Sequence, residues 1–406
     1  MKEKLARNPK LLFWINALKN VKVLSIVISL FYLHRGLSLS QIFYLSIVWA
    51  VTNLLFEIPS SYMADKWGRK KTLFVGAVSF LFYWIVLLVG ASFWVFAFAI
   101  FLYAFSFACF SGTDDALLYD TKKELGKEAE TLGSFGKYYS AKRIFKIAAP
   151  ILGAVIAKDL LEWQFQLIIS IDIFASLLAV IMTLFLVEPT HYKEVKQEEA
   201  DILLDAWNLL SSNKNLLKAI LNKTLIFIAG FITFRYYQKL FVDLGMAVIA
   251  IGIGWSMFQV IMFWGNQKIT EVFKNYPLPQ RIDFLNYIFA GVMSSFVAIY
   301  FIASERFYLL FILFVVAHIA ETLRYTLFSE MFNKNFKSFN RSTALSLSNF
   351  LKSVLDIPLI FFAGWLVSLD IIYPYVFAAI LAVVVSLVVS LHGLGLYVQK
   401  KPVKAS

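Results

Sequence analysis

Long apolar runs recur along this chain with few charges between them. Residues 72 to 90 contain no charged side chain, and residues 93 to 113 contain none either. A helix rises about 1.5 Å per residue and a bilayer core is about 30 Å thick, so about 20 apolar residues suffice for one crossing. Walking the chain by such runs and their breakers predicts twelve spans at 11–33, 41–64, 72–90, 93–120, 138–158, 163–187, 217–240, 247–267, 281–302, 306–332, 342–368 and 371–398. Composition agrees: 60% of the 406 residues are hydrophobic and 16% charged, whereas a soluble domain carries about 25% charged residues. A soluble enzyme is thereby excluded. The runs are continuous rather than alternating, which excludes a transmembrane β-barrel. The fold class is an all-α membrane protein of twelve spans in two six-helix bundles.

The only long interval, Glu188 to Asn215, carries Glu194, Lys196, Glu198, Glu199, Asp201 and Asp205, then a predicted amphipathic piece from Ile202 to Leu210. Residues 188–216 read as a connector between an N-terminal bundle, 1–187, and a C-terminal bundle, 217–406. The basic N-terminus runs into the first span with no cleavage site, so that span is read as retained. Cys109 is the single cysteine and excludes an internal disulfide. Trp94 and Trp163 fall where an interfacial belt belongs.

Orientation follows from the basic residues, which concentrate on cytoplasmic loops. Of 38 Lys and Arg, 26 fall on one set of alternate loops and termini and 4 (Arg35, Lys158, Lys239, Arg306) on the other. Both termini and the connector are therefore expected in the cytoplasm of a cell (inner) membrane protein. The same distribution explains most of the +12 net charge with no nucleic-acid partner. Eight cations remain in or beside spans: Lys19, Lys22, Lys142, Arg143, Lys146, Arg235, Arg324 and Lys352. Glu57, Asp114, Asp115, Asp172, Glu321 and Asp356 are their acidic counterparts.

An offset of 206 residues places Trp49 on Trp255, Asp65 on Glu271, Asp115 on Glu321, Tyr119 on Tyr325 and Lys146 on Lys352, consistent with a duplication. Measured from the cytoplasmic boundaries, Asp115 lies about 8 Å deep and Glu57 and Lys146 about 12 Å. Charges at such depth cost at least about 2.5 kcal/mol each, so they are kept for pairing or for function. The expected pairs are Asp115 with Lys146 and Glu321 with Lys352, or a network in which Glu57 and Asp114 compete for Lys146. Fixed bridges that set packing are the alternative, but buried pairs stabilise poorly, and a carboxyl group removed from water can hold a proton near neutral pH. His318, Glu321, Arg324 and Tyr325 recur at i, i+3, i+6 and i+7, one face of the tenth span. Pro59, Pro150 and Pro358 permit bends.

Between the second and third spans the sequence Ala64-Asp65-Lys66-Trp67-Gly68-Arg69-Lys70 combines an acid, a turn glycine and a basic stop. This segment resembles the loop motif of the major facilitator superfamily, and the resemblance extends to twelve spans and a long central loop. It implies a cytoplasmic gate in which Asp65 faces Asn340, Arg341 and Ser342 while Arg69 pairs with Asp120. It also implies a cavity lined by the first, fourth, seventh and tenth spans, and so the substrate contacts Arg235, Tyr236, Tyr237, His318, Arg324 and Tyr325, with Asn16 and Tyr32 from the first span. The coupling network is expected at Glu57, Asp114, Asp115, Lys146, Glu321, Lys352 and Asp356.

The resulting expectation is a monomeric secondary transporter of a small organic solute, with no cofactor beyond the proton as coupling ion. Export by proton antiport leads; uptake of a polar or anionic nutrient by symport is the near alternative, and an integral membrane enzyme or lipid scramblase the remote one. Four histidines stand beside no plausible nucleophile, and no phosphate-binding Gly-rich loop is present for ATP-driven pumping.

Overall fold

The computed structural model describes residues 2–190, 214–269, 271–272, 274–335 and 338–392, without the side chains of 58, 129, 132, 144 and 332–350. The amphipathic piece expected at Ile202 to Leu210, most of the connector, and the end of the twelfth span lie outside it. All regular structure among the described residues is helical. Ten segments are long and apolar enough to cross a bilayer. The expected fifth span is the 26-residue helix Thr131–Ile156, whose Lys137, Lys142, Arg143 and Lys146 make it the most basic. The twelfth, Tyr373–Val388, is apolar over 16 residues. Both lie where the fifth and twelfth spans are expected, and neither is among the ten.

Three spans that were expected to be continuous are interrupted. The first consists of Asn8–Lys19, a 3-10 segment Val23–Val27 and Ile28–His34. The fourth breaks between Phe93–Phe110 and Thr113–Glu124. The seventh breaks between Lys214–Phe234 and Tyr237–Asp243. At the fourth-span break Gly112 sits at φ 75°, a conformation that costs other L-residues about 1–2 kcal/mol. Asp114 and Asp115 occupy the first turn beyond it, where anionic side chains suit the exposed N–H groups.

The chain divides into two compact units. The first comprises Met1–Lys196 with Tyr236–Gln259, the second Gln197–Arg235 with Val260–Ser406. The seventh-span break thus coincides with a change of unit. In the first unit the first span packs on the fifth and sixth, and the third on the fourth and sixth. In the second, the ninth packs on the tenth and twelfth, and the seventh on the eleventh and twelfth. Lipid is as apolar as leucine, so close approach and buried hydrogen bonds hold such helices together.

Asp172 of the sixth span supplies one such tie. Fully buried, its carboxylate accepts from the backbone N–H of Val23 at 2.9 Å and of Leu24 at 3.1 Å. Those groups are freed by the first-span break, and unpaired N–H groups are costly in a bilayer. Gln238, within the same unit, bridges the 3-10 segment and the helix after it, donating to the Ser25 carbonyl at 3.0 Å and accepting from Ser29 N–H at 2.9 Å.

Candidate functional site: a loop clamp and two buried acid clusters

The loop after the second span is a clamp. Gly68 ends the helix Leu39–Trp67 at φ 97°, ψ 151°, and the next helix starts at Arg69. Arg69 pairs with the Asp120 carboxylate and donates to the Ala116 carbonyl at 2.5 Å. The clamp has a member that sequence reasoning missed. Glu188, just past the sixth span, accepts from the backbone N–H of Arg69 at 2.8 Å and Lys70 at 2.7 Å. A Cβ on Gly68 would lie 3.1 Å from Glu188 Oε2, so glycine serves both the turn and the approach of the carboxylate. Asp65 is exposed; the side chains of Asn340, Arg341 and Ser342 that it was expected to face lie outside the described residues. Farther along this side, the Lys122 ammonium 2.9 Å from Glu130 holds that exposed carboxylate below its usual range.

The first acid cluster joins the fourth and fifth spans. Tyr138 donates its hydroxyl proton to Asp114, and Tyr139 donates to Asp115 at 2.5 Å. Asp114 also accepts from the Asp115 N–H at 2.8 Å. The expected Asp115–Lys146 pair does not form: Lys146 is exposed and in no ion pair among the described residues, because the break at Gly112 turns both acids toward the tyrosines. The cation near Asp114 is Lys19, which also lies over the Phe110 ring. Glu57 is half-buried, and its backbone carbonyl takes the hydroxyls of Ser60 and Ser61 beside Pro59. Asn16 donates to the Tyr138 carbonyl at 2.9 Å, tying the first span to the fifth. Tyr32 is buried against Phe96, ring centroids 5.2 Å apart.

Arg235 stands at the break of the seventh span, half-buried. Beyond it Tyr236 and Tyr237 are buried within the first unit, Tyr236 against Phe43 and Tyr237 against Trp255. All three were expected to contact substrate; in this structure the two tyrosines serve in aromatic packing.

The second cluster lies in the second unit. Glu321, 7% exposed, faces the seventh span where a Cβ on Gly230 would meet its Cγ at 3.0 Å. Oε2 accepts from Thr322 at 3.2 Å, whereas Oε1 accepts no hydrogen bond. The expected partner, Lys352, pairs instead with Asp356 at 2.5 Å, one turn along the same helix, and lies over the Phe227 ring. That ring also meets Tyr325 edge-on. Asp356 retains an unpartnered Oδ1. His318, one turn before Glu321, points its two ring nitrogens at the carbonyls of Phe314, 2.9 Å, and Gly230, 3.3 Å. Arg324 is buried to 1% exposure but not on Glu321. Its Nη2 donates to the Asn222 carbonyl at 3.1 Å and to Asn222 Oδ1 at 3.0 Å.

From Asn222 a polar chain continues. Asn286 donates to Asn222 Oδ1 at 3.1 Å and approaches Asp283 at 3.4 Å, and Asp283 accepts from Leu391 N–H and the Ser390 hydroxyl. A cavity of about 420 Å³ opens at the Asp283 end, with Arg281, Tyr287 and His392 in its wall. Asn222 and Asn286 escaped sequence reasoning because only formal charges were traced through the spans. Among the described residues no group of His, Cys, Asp and Glu is arranged to hold a metal ion.

The family model described as Major Facilitator Superfamily matches residues 13–274. No curated protein sequence matches the chain. Among solved structures, the nucleoside transporter NupG superposes with a TM-score of 0.72 at 15% identity, covering 96% of this chain and 98% of that one. A D-xylose-proton symporter gives 0.70 at 14% identity, with 95% of each chain covered. A bacterial homolog of the human lysosomal transporter Spinster gives 0.72 at 15%, covering 95% and 92%.

Proposed function

The chain belongs to the Major Facilitator Superfamily, and from that membership we propose a proton-coupled secondary transporter that moves a small organic solute by alternating access, with Glu321 as the proton-exchanging group. It is a multi-pass membrane transporter and not an enzyme. One observation carries the coupling: a carboxyl group 7% exposed, in no ion pair among the described residues, with one oxygen that accepts no hydrogen bond. A bare carboxylate in such a setting is costly, and a proton on that oxygen relieves the cost. All three carboxyl groups have a tyrosine hydroxyl beside them; Asp114 and Asp115 differ in being half-buried where Glu321 is buried. They are read as the fixed counterpart in the first unit.

The direction we assign is export, proton in and solute out, with both termini in the cytoplasm of a cell membrane. The clamp of Gly68, Arg69, Asp120 and Glu188, with the exposed Asp65 at the end of the preceding helix, is read as part of the cytoplasmic gate. The polar face of His318, Glu321, Arg324 and Tyr325 supports a second reading, uptake of a polar or anionic solute with the proton. Purified protein in liposomes, loaded in turn with a panel of organic cations, sugars, nucleosides and organic anions, separates them. Export by antiport requires solute efflux driven by external acid, and uptake requires accumulation under the same gradient. Absence of proton-driven movement for every class would remove the coupling.

A further inference from the structure

We propose that Asn222 is a positioning residue for the proton site: it parks the Arg324 guanidinium away from Glu321, so that Arg324 moves between an amide berth and the carboxylate as Glu321 gains or loses its proton. This rests on the reading of Glu321 as the proton-exchanging group.

Arg324 lies three residues after Glu321 on one helix, a spacing that puts Cβ atoms about 5–6 Å apart. A change of side-chain rotamer would bring the guanidinium onto the carboxylate with no movement of the helix. Yet no ion pair joins them, and both Arg324 hydrogen bonds go to Asn222. Two atoms mark the interaction not made: Arg324 Nε and Glu321 Oε1 are buried and without hydrogen bonds. A buried guanidinium on neutral acceptors is an unusual choice when a carboxylate is in reach, because charge-assisted pairs are the stronger. A neutral Glu321 in this conformation makes that choice intelligible. Once the proton leaves, the amide can no longer compete.

The berth's direct acceptors on the guanidinium are neutral, with the Asp283 carboxylate behind them. Asn222 Oδ1 is fixed by the Asn286 amide, and Asn222 itself donates to the Val389 carbonyl at 2.9 Å. Asp283 anchors the far end through Leu391 and Ser390. Three spans, the seventh, ninth and twelfth, are therefore tied together behind the guanidinium of the tenth. Other groups near the site are Tyr325 and His318 on the tenth span, Lys223 on the seventh, Lys352 and Asp356 on the eleventh, and Asp283 on the ninth. Of these, Lys352 and Asp356 are paired to each other. Arg324, three residues from Glu321 on the same helix, is the cation whose change of rotamer can follow the state of Glu321.

The test needs no substrate. N,N′-dicyclohexylcarbodiimide reacts with protonated carboxyl groups in apolar surroundings, and the modified Glu321 peptide is quantified by mass spectrometry against pH on the purified full chain. Asn222→Asp should hold Arg324 in the berth and move the labelling midpoint to higher pH by about one unit or more, the size of effect a neighbouring charge has on a carboxyl group. Asn222→Leu should release Arg324 onto Glu321 and move the midpoint to lower pH by a similar amount. Should Asn222→Leu fail to fold, Asn286→Leu loosens the berth one step away and should shift the midpoint in the same direction by less. Identical midpoints in the folded variants would overturn the inference while leaving the proton reading intact. Labelling of wild-type Glu321 that does not change with pH would overturn both.

Discussion

Replacing Asp172 with asparagine tests whether the first-span break is held in place by one distant carboxylate. Asp172 accepts from two freed backbone donors at 2.9 and 3.1 Å in a fully buried site. Hydrogen bonds to a charged acceptor are each worth about 1.5–3 kcal/mol, and a neutral one about 1 kcal/mol. An asparagine keeps a single carbonyl for two N–H groups and turns its own NH2 toward the second. The net loss is about 3 kcal/mol, which at 1.36 kcal/mol per tenfold is on the order of a hundredfold in a local opening equilibrium. Hydrogen exchange followed by mass spectrometry reads this directly, because Val23 and Leu24 exchange through local opening of that segment. Peptides spanning 20–28 should exchange on the order of a hundredfold faster in Asp172→Asn, with peptides from the ninth and twelfth spans unchanged. Exchange at Val23 and Leu24 within about threefold of wild type, less than 1 kcal/mol, would show that the break is maintained by packing and that the carboxylate argument is wrong.

Three further perturbations address the clamp and the close contacts. Gly68→Ala places a Cβ 3.1 Å from Glu188 Oε2 in a backbone region that suits glycine, at a cost of about 1–3 kcal/mol; combined with Glu188→Ala in thermal unfolding it should be sub-additive, since both act on one contact. Arg69→Ala should increase thiol-reagent access to single cysteines placed on the cytoplasmic side, and unchanged access would count against a gate. Gly230→Val should lower the unfolding temperature by the equivalent of about 1–3 kcal/mol of overpacking against Glu321, whereas Gly291→Ala, with nothing within 4 Å of its Cβ position, should not; equal effects of the two would discount the contact.

The fold class and the clamp were legible because their signals are local. Twelve apolar runs need only length and composition. Gly68 and Arg69 sit in a short spaced motif, and the ion pair of Arg69 with Asp120 is present in the structure. Glu188 was not legible: it reaches the clamp from 119 residues away as a cap on two backbone donors, a role any acid near a helix start can fill. The acid pairings failed for a different reason. Depth was counted along straight helices, and the break at Gly112 redirected Asp114 and Asp115 to Tyr138 and Tyr139. Ser111-Gly112-Thr113-Asp114-Asp115 reads as a helix start, so that signal was available. Lys352 with Asp356 at i, i+4 was also within reach of a local rule, whereas the repeat suggested Glu321. No residue type marks the first-span break, whose partner Asp172 is 149 residues distant.

Proton coupling through Glu321 is tested most directly by comparing wild type with Glu321→Gln in liposomes. Once a transported solute is identified, its exchange at equal pH on both sides and its pH-gradient-driven flux are measured on the same preparation. Glutamine keeps the size and a hydrogen-bonding head but cannot release a proton, so exchange should persist near the wild-type rate while gradient-driven flux is abolished. Gradient-driven flux retained in Glu321→Gln at the wild-type level would contradict the account and move the proton to another group.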